Sequence, residues 1–222
     1  MESELKRESA VLWVKKILIC TVSLMALGIA CGLNIGAAQG ADPITVFYEG
    51  LSKILKINVG LTANILNTTL VAIVFFVNRK YIHIGTVIYM FVLGIFIQLG
   101  IGVYSLMHVP HMFWWEVAVS MFGCLLAFIG LGGFMSIDIG IDPWTAAAII
   151  LSKKMNKSFR MVKISLDVIT LILGYAMGGT VGIITLFCAV VGGPVIQKSA
   201  EILDKLFTKM LKFNYENQVK IP

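Results

Sequence analysis

Six stretches of this chain, residues 17–35, 61–77, 84–107, 113–137, 162–177 and 180–196, are predominantly apolar. A helix needs about 20 such residues to cross the hydrocarbon of a bilayer. With these six set aside, almost no chain remains for a soluble domain. Only 14% of the 222 residues are charged, against roughly 25% in soluble domains, so the polar surface needed to cover a globule is missing. An unpaired backbone group is costly in lipid, so spans of this kind are helices. The expected fold is all-α: a polytopic membrane protein of six transmembrane helices, with residues 1–222 as a single membrane domain. Lys15 and Lys16 precede the first stretch as they would in a secretory signal. That stretch has full bilayer length and more spans follow, so it reads as a retained helix.

The basic residues orient the chain. Lys6, Arg7, Lys15 and Lys16 precede the first span, and Arg79 and Lys80 lie between the second and third. Lys153, Lys154, Lys157, Arg160 and Lys163 lie between the fourth and fifth, and Lys198, Lys205, Lys209, Lys212 and Lys220 follow the last. With six spans and a cytoplasmic N-terminus, all but Lys53 and Lys56 of the 18 basic residues fall inside, as the positive-inside rule requires. The outer loops at 105–112 and 178–179 carry none. Both termini are then cytoplasmic. The net charge of +6 meets anionic headgroups at the inner face, so the partner is the lipid bilayer and no nucleic acid is implied.

The chain also repeats itself. "GADPIT" from Gly40 returns as "GIDPWT" from Gly140, and Leu51-Ser52-Lys53 returns as Leu151-Ser152-Lys153. Gly32 matches Gly132, Leu66 matches Leu166, and Asn67 stands opposite Asp167, all at an offset of 100. At an offset of 99, Thr86 matches Thr185, Gly94 matches Gly193 and Gln98 matches Gln197. The repeat covers 12–107 and 112–205. Each copy holds three spans, an odd number, so the second must enter the membrane from the opposite side. The expected architecture is a 3+3 inverted repeat, as in many transporters.

Each Asp-Pro pair reads as a helix start, because aspartate is a good N-cap and proline at the first helical position gives up no hydrogen bond. The segments that follow are too short to span at about 1.5 Å per residue. They are expected as short interfacial or re-entrant helices. Capping is the plain role of Asp42 and Asp142. Two related helix starts could also frame a polar site between the halves, with Thr45, Thr145 and Trp144 beside them. Asp167 lies within the fifth span, where an ionisable group is expensive and faces the bundle interior or a wet cavity. It is the expected proton- or cation-responsive residue, with a tie to Lys163 one turn back as the rival structural role. Asn64, Asn67, Thr86, Thr185, Gln98 and Gln197 complete the candidate substrate-binding set, and each could equally be an interhelical hydrogen-bond partner.

Cys20, Cys31, Cys124 and Cys188 have no paired spacing and no histidine partners, which suggests packing residues and neither a disulfide framework nor a zinc site. His83 stands at a span entrance, and His108 and His111 flank Pro110 in a short loop. No HExxH, phosphate-binding glycine loop or GxSxG is present. No metal, cofactor or enzymatic activity is expected.

The repeated G-x-D-P-x-T, the Leu-Ser element after it, the polar-studded span and the Gly85-Thr86 pair resemble the YitT/YczE group of bacterial integral membrane proteins, from about Leu12 to Gln197. The second copy departs from that pattern, with Ile184-Thr185 where the first has Gly-Thr. The resemblance implies a bacterial plasma membrane and supplies no site residues. Inverted symmetry around polar residues favours a secondary transporter or exporter of an unknown small molecule. The alternatives are a non-transporting accessory subunit or, less favoured, the substrate-binding component of a vitamin importer. A homodimer is compatible with the sequence without being indicated by it.

Overall fold

The computed structural model describes the backbone of residues 2–108, 110 and 112–219, and the side chains of 10–108, 110 and 112–209. His111 and Lys220, like the side chains of Lys6, Arg7 and Lys212, lie outside the described residues. Among the described residues the chain is helical without strands: α1 (Glu2–Ala37), α2 (Pro43–Leu55), α3 (Val59–Val77), α4 (Ile84–Leu106), α5 (Phe113–Ser136), α6 (Pro143–Met155), α7 (Phe159–Ala176) and α8 (Ile183–Val219), with one 3₁₀ turn at Arg79–Tyr81.

Five helices contain segments long and apolar enough to cross a bilayer: Ala10–Ala37, Val59–Val77, Ile84–Leu106, Phe113–Ser136 and Ile183–Lys209. Their outward faces are apolar, with Phe76 83% and Val190 68% exposed. Such faces would be ruinous in water and are what lipid requires. The fifth expected span, α7, has 18 residues and carries Arg160, Lys163 and Asp167, so composition alone does not qualify it. The first and last helices run on past bilayer length, because their basic flanks are helical too.

Local sequence explains most helix limits. Asp42 and Asp142 cap α2 and α6, each accepting the backbone N–H of the threonine three residues on, with proline at the first helical position. Both helices end on a left-handed residue, Lys56 at φ 55° and Asn156 at φ 51°. A 6→1 bond follows each time: Ile57 N–H to Ser52 O and Lys157 N–H to Ser152 O. Asn58 and Ser158 then cap α3 and α7. At 13 residues, α2 and α6 are each about 20 Å long and cannot span.

The two copies also match in how they pack. α1 packs on α4 and α5 on α8, α2 packs on α7 and α3 on α6, and α1 and α5 pack on each other. Glycine sets the first pair of seams. A Cβ on Gly32 would stand 2.4 Å from Ile97 O and 2.6 Å from Ile101 N; on Gly132 it would stand 3.1 Å from Ile196 O and 2.9 Å from Ala200 N. These are equivalent positions in the repeat. Small residues let membrane helices approach closely where no hydrophobic effect drives them together. One seam is not duplicated. α3 packs on α4 through Gly60 and Gly94, where a Cβ on either would meet the other's carbonyl at about 2 Å. Among the described residues no comparable seam joins α7 to α8, and a Cβ on Gly193, the match of Gly94, would meet nothing within 4 Å.

Candidate functional site

The loops before the two short helices are exchanged. Each docks on the start of the other copy's last helix. Gly85 N–H donates to Ile139 O at 2.9 Å, and Ile184 N–H donates to Gln39 O at 3.2 Å. Thr86 Oγ1 strengthens the first contact, donating to Ile141 O at 2.8 Å and accepting from Ile141 N–H at 3.2 Å. Thr185 is equally buried but accepts only a long 3.4 Å contact from Gly182 N–H. Gly40, at φ 95°, lies where a Cβ would come 2.5 Å from Thr185 Oγ1, so both the turn and the close approach demand glycine. The Gly-Thr element is therefore a clamp on a neighbouring loop, and Thr86 has no donor left for a ligand.

The exchange brings the short helices together. Trp144, in the first turn of α6, donates its indole N–H to Tyr48 Oη of α2 at 2.8 Å. Tyr48 donates in turn to Asn67 Oδ1 of α3 at 2.9 Å. Phe47 meets the Trp144 ring edge-on at 6.0 Å between centroids. An indole can only donate, so Tyr48 is the acceptor in the first bond. The single tyrosine proton goes to Asn67 Oδ1, and the Asn67 amide nitrogen is left with its donors. Asn67 is fully buried and that nitrogen has no partner. In an apolar interior an unmet donor is costly, which makes this the place where an acceptor oxygen is wanted. Asn34 Oδ1 and Ser120 Oγ are buried without partners as well.

The other candidates divide. Asp42 is doubly held by Thr45, through its N–H at 3.2 Å and its hydroxyl at 2.6 Å, and Thr45 also touches Cys31 Sγ. Asp142 is buried and accepts from Thr145 N–H at 2.9 Å. Asn64 is spent on α4, donating to Phe91 O and accepting from Gly94 N–H. Gln98 is exposed beside Gly60, and Gln197 is exposed and donates to Glu201 at 3.2 Å. Asp167 is paired with Lys163 at 2.5 Å, each side chain about a third exposed, the tie expected for its structural role. Among the described residues no group of three metal-binding side chains occurs.

Two functional-looking residues escaped the sequence reading. Tyr48 gives no local signal, since its match in the second copy is Ala148. Glu49 gave one: an acid inside an apolar segment, four residues before Lys53. It is 6% exposed and accepts from Thr180 N–H, Thr180 Oγ1 and Lys53 Nζ.

The helices and their apolar outer faces define a class: an integral, multi-pass α-helical membrane protein. Within it, the chain belongs to DUF6198, a family of unknown function whose model matches residues 14–200. It is 25% identical over 192 residues to an uncharacterized protein of Haemophilus influenzae, covering 86% of each chain. It is 22% identical over 176 residues to the uncharacterized membrane protein YczE of Bacillus subtilis, covering 79% of this chain and 80% of that one. The resemblance drawn from the Asp-Pro repeat thus holds. No solved structure matches.

Proposed function

We propose that this protein is a secondary transporter or exporter of a small molecule, built as a 3+3 inverted repeat in a bacterial plasma membrane with both termini cytoplasmic. The observation that carries the proposal is the Trp144–Tyr48–Asn67 chain, which links the short helix of one copy to the short helix and a long helix of the other and ends in an unmet buried donor. Transporters of this kind hold their cargo where interrupted helices of two repeats meet. The matched seams and the exchanged loops support a two-fold relation between the copies. α7 serves as the sixth span, carrying its ionic groups beside a buried stripe of Val162, Thr170 and Gly174. The cargo presents an acceptor oxygen to Asn67 and a flat face to Trp144.

The test is a screen for compounds that raise the thermal unfolding temperature of the purified protein, since a ligand of the folded state must stabilise it. Hits should lose their effect in Asn67→Leu and Trp144→Leu while a distant variant such as Gln197→Ala keeps it. Hits indifferent to both positions refute the site. A second reading, a non-transporting accessory subunit, draws on Asn64 and Thr86, whose hydrogen bonds are spent on neighbouring backbone. It predicts no hit at all and co-purification with a fixed partner.

A further inference from the structure

Each short helix ends in a lysine that reaches the interhelical connection of the other copy, and the two lysines are equivalent. Lys53 Nζ donates to Gly178 O in the α7–α8 connection and to Glu49 Oε1, both at 2.6 Å. The same Glu49 carboxylate accepts from Thr180 N–H and Thr180 Oγ1, each at 2.7 Å. Lys153 Nζ donates to Tyr81 Oη at 2.6 Å in the α3–α4 connection and stands 5.3 Å from the centre of its ring. Tyr81 and Thr180 are separated by 99 residues, the offset of the later part of the repeat. Lys53 thus fastens α2 at the end of the bundle where α8 begins, and Lys153 fastens α6 at the end where α4 begins.

The fastenings differ in strength. Glu49 is a buried carboxylate with three donors, and hydrogen bonds to charged groups are about twice as strong as neutral ones. Around it α2 lies backbone to backbone on α7 and the connection after it: a Cβ on Gly50 would stand 2.3 Å from Gly174 O in α7, and one on Gly179 in the connection would stand 2.4 Å from Val46 O. Lys153–Tyr81 joins an exposed lysine to a half-buried tyrosine by one hydrogen bond and a ring contact, with no carboxylate and no backbone partner to add to it. Both are mechanically tied to the polar junction. Tyr48 is the residue before Glu49, so α2 cannot leave Thr180 without pulling Tyr48 from Asn67 and Trp144. Trp144 and Lys153 share one rigid helix of 13 residues.

We propose that these two fastenings are the gates of the junction. The Glu49–Lys53–Thr180 latch closes the end marked by Gly178, and the Lys153–Tyr81 contact is the weaker gate, so the conformation described here opens first toward the basic end. This rests on the transporter reading for its purpose, although access to the junction is measured without any cargo.

The reporter is Ala148→Cys, a fully buried position one turn beyond Trp144, in full-length protein in oriented vesicles, with the native cysteines replaced by serine or alanine. The probe is a membrane-impermeant maleimide applied to one face at a time, with Lys157→Cys marking the basic end. Lys153→Met and Tyr81→Phe should each raise labelling from the basic end about tenfold, the loss of one charged hydrogen bond, and leave the other end unchanged. Lys53→Met and the milder Thr180→Val should raise it from the Gly178 end only. Thr180→Val keeps the backbone bond to Glu49 and folds even if Lys53→Met does not. Labelling that ignores all four substitutions, or rises at the wrong end, overturns the gates. If labelling obeys the latches but no compound stabilises the protein through Asn67, the gates stand and the transporter reading falls. If a compound does so and labelling ignores the latches, only the gates fall.

Discussion

Replacing Thr86 by valine removes one hydroxyl and nearly preserves shape. Thr86 is 1% exposed, and its hydroxyl both donates to Ile141 O and accepts from Ile141 N–H. Two lost hydrogen bonds at about 1 kcal/mol each suggest about 2 kcal/mol. The average measured between membrane helices, about 0.6 kcal/mol per bond, lowers this to about 1.2. Thr185→Val in the other copy removes only a 3.4 Å contact, beyond good hydrogen-bond distance, and should cost under about 0.5 kcal/mol. The expected order is Thr86→Val clearly worse than Thr185→Val, with Thr86→Ser close to the parent protein. Reversible unfolding in mixed micelles titrated with dodecyl sulfate, followed by tryptophan fluorescence, reads all three. Equal losses at the two threonines, or a serine variant as damaged as the valine, would refute the view that this hydroxyl holds the exchanged loop.

Gly94→Ala should destabilise by about 2 kcal/mol or more through overpacking, because its Cβ would stand 2.0 Å from Gly60 O. Gly193→Ala at the matching place meets nothing within 4 Å and should be neutral or gain up to about 1 kcal/mol from helix propensity; the same unfolding assay distinguishes them, and equal effects would contradict the unduplicated seam. For orientation, Met107→Cys should react with an impermeant thiol reagent on intact cells and Lys157→Cys only after permeabilisation, the reverse pattern inverting the topology. Asp167→Asn breaks an ion pair about a third exposed, so the loss of stability should stay below about 1 kcal/mol. If Asp167 couples transport to protons, the same variant abolishes the pH dependence of ligand binding measured by thermal shift, and an unchanged profile makes the pair purely structural.

The two Asp-Pro helix starts depend on a few consecutive residues and were legible in the sequence, whereas the equally local Glu49–Lys53 pair was not picked out. Asp42, Asp142, Pro43 and Pro143 announced two helix starts because capping is settled within one turn. The polar stripe of α3 was visible, but its division of labour was not. Asn64 stitches α3 to α4 while Asn67, one turn on, turns to α2, and nothing local separates the two. Thr86 and Thr185 were noticed as a repeated pair and read as candidate ligand groups. The partner of Thr86, Ile141, lies 55 residues away in the other copy, and what Thr185 meets from the other copy is the close approach of Gly40, so the clamp could emerge only from tertiary structure. Tyr48 was invisible for a related reason, since the repeat that drew attention to Asp42 has an alanine at its counterpart.

The exchange of Asp-Pro loops has a consequence for ancestry. A single copy would carry a loop whose carbonyls at Gln39 or Ile139 find their donors only on a second copy. On the proposed inverted arrangement that second copy must point the other way. The undoubled ancestor could then complete itself only as an antiparallel pair, inserted in both orientations by a chain without strong charge bias. Fusion of two such copies into one chain would leave them free to diverge: basic residues could collect on one face, one seam could be lost at α7 and α8, and one clamp could slacken at Thr185. The two halves expressed as separate chains should therefore be stable together and neither alone.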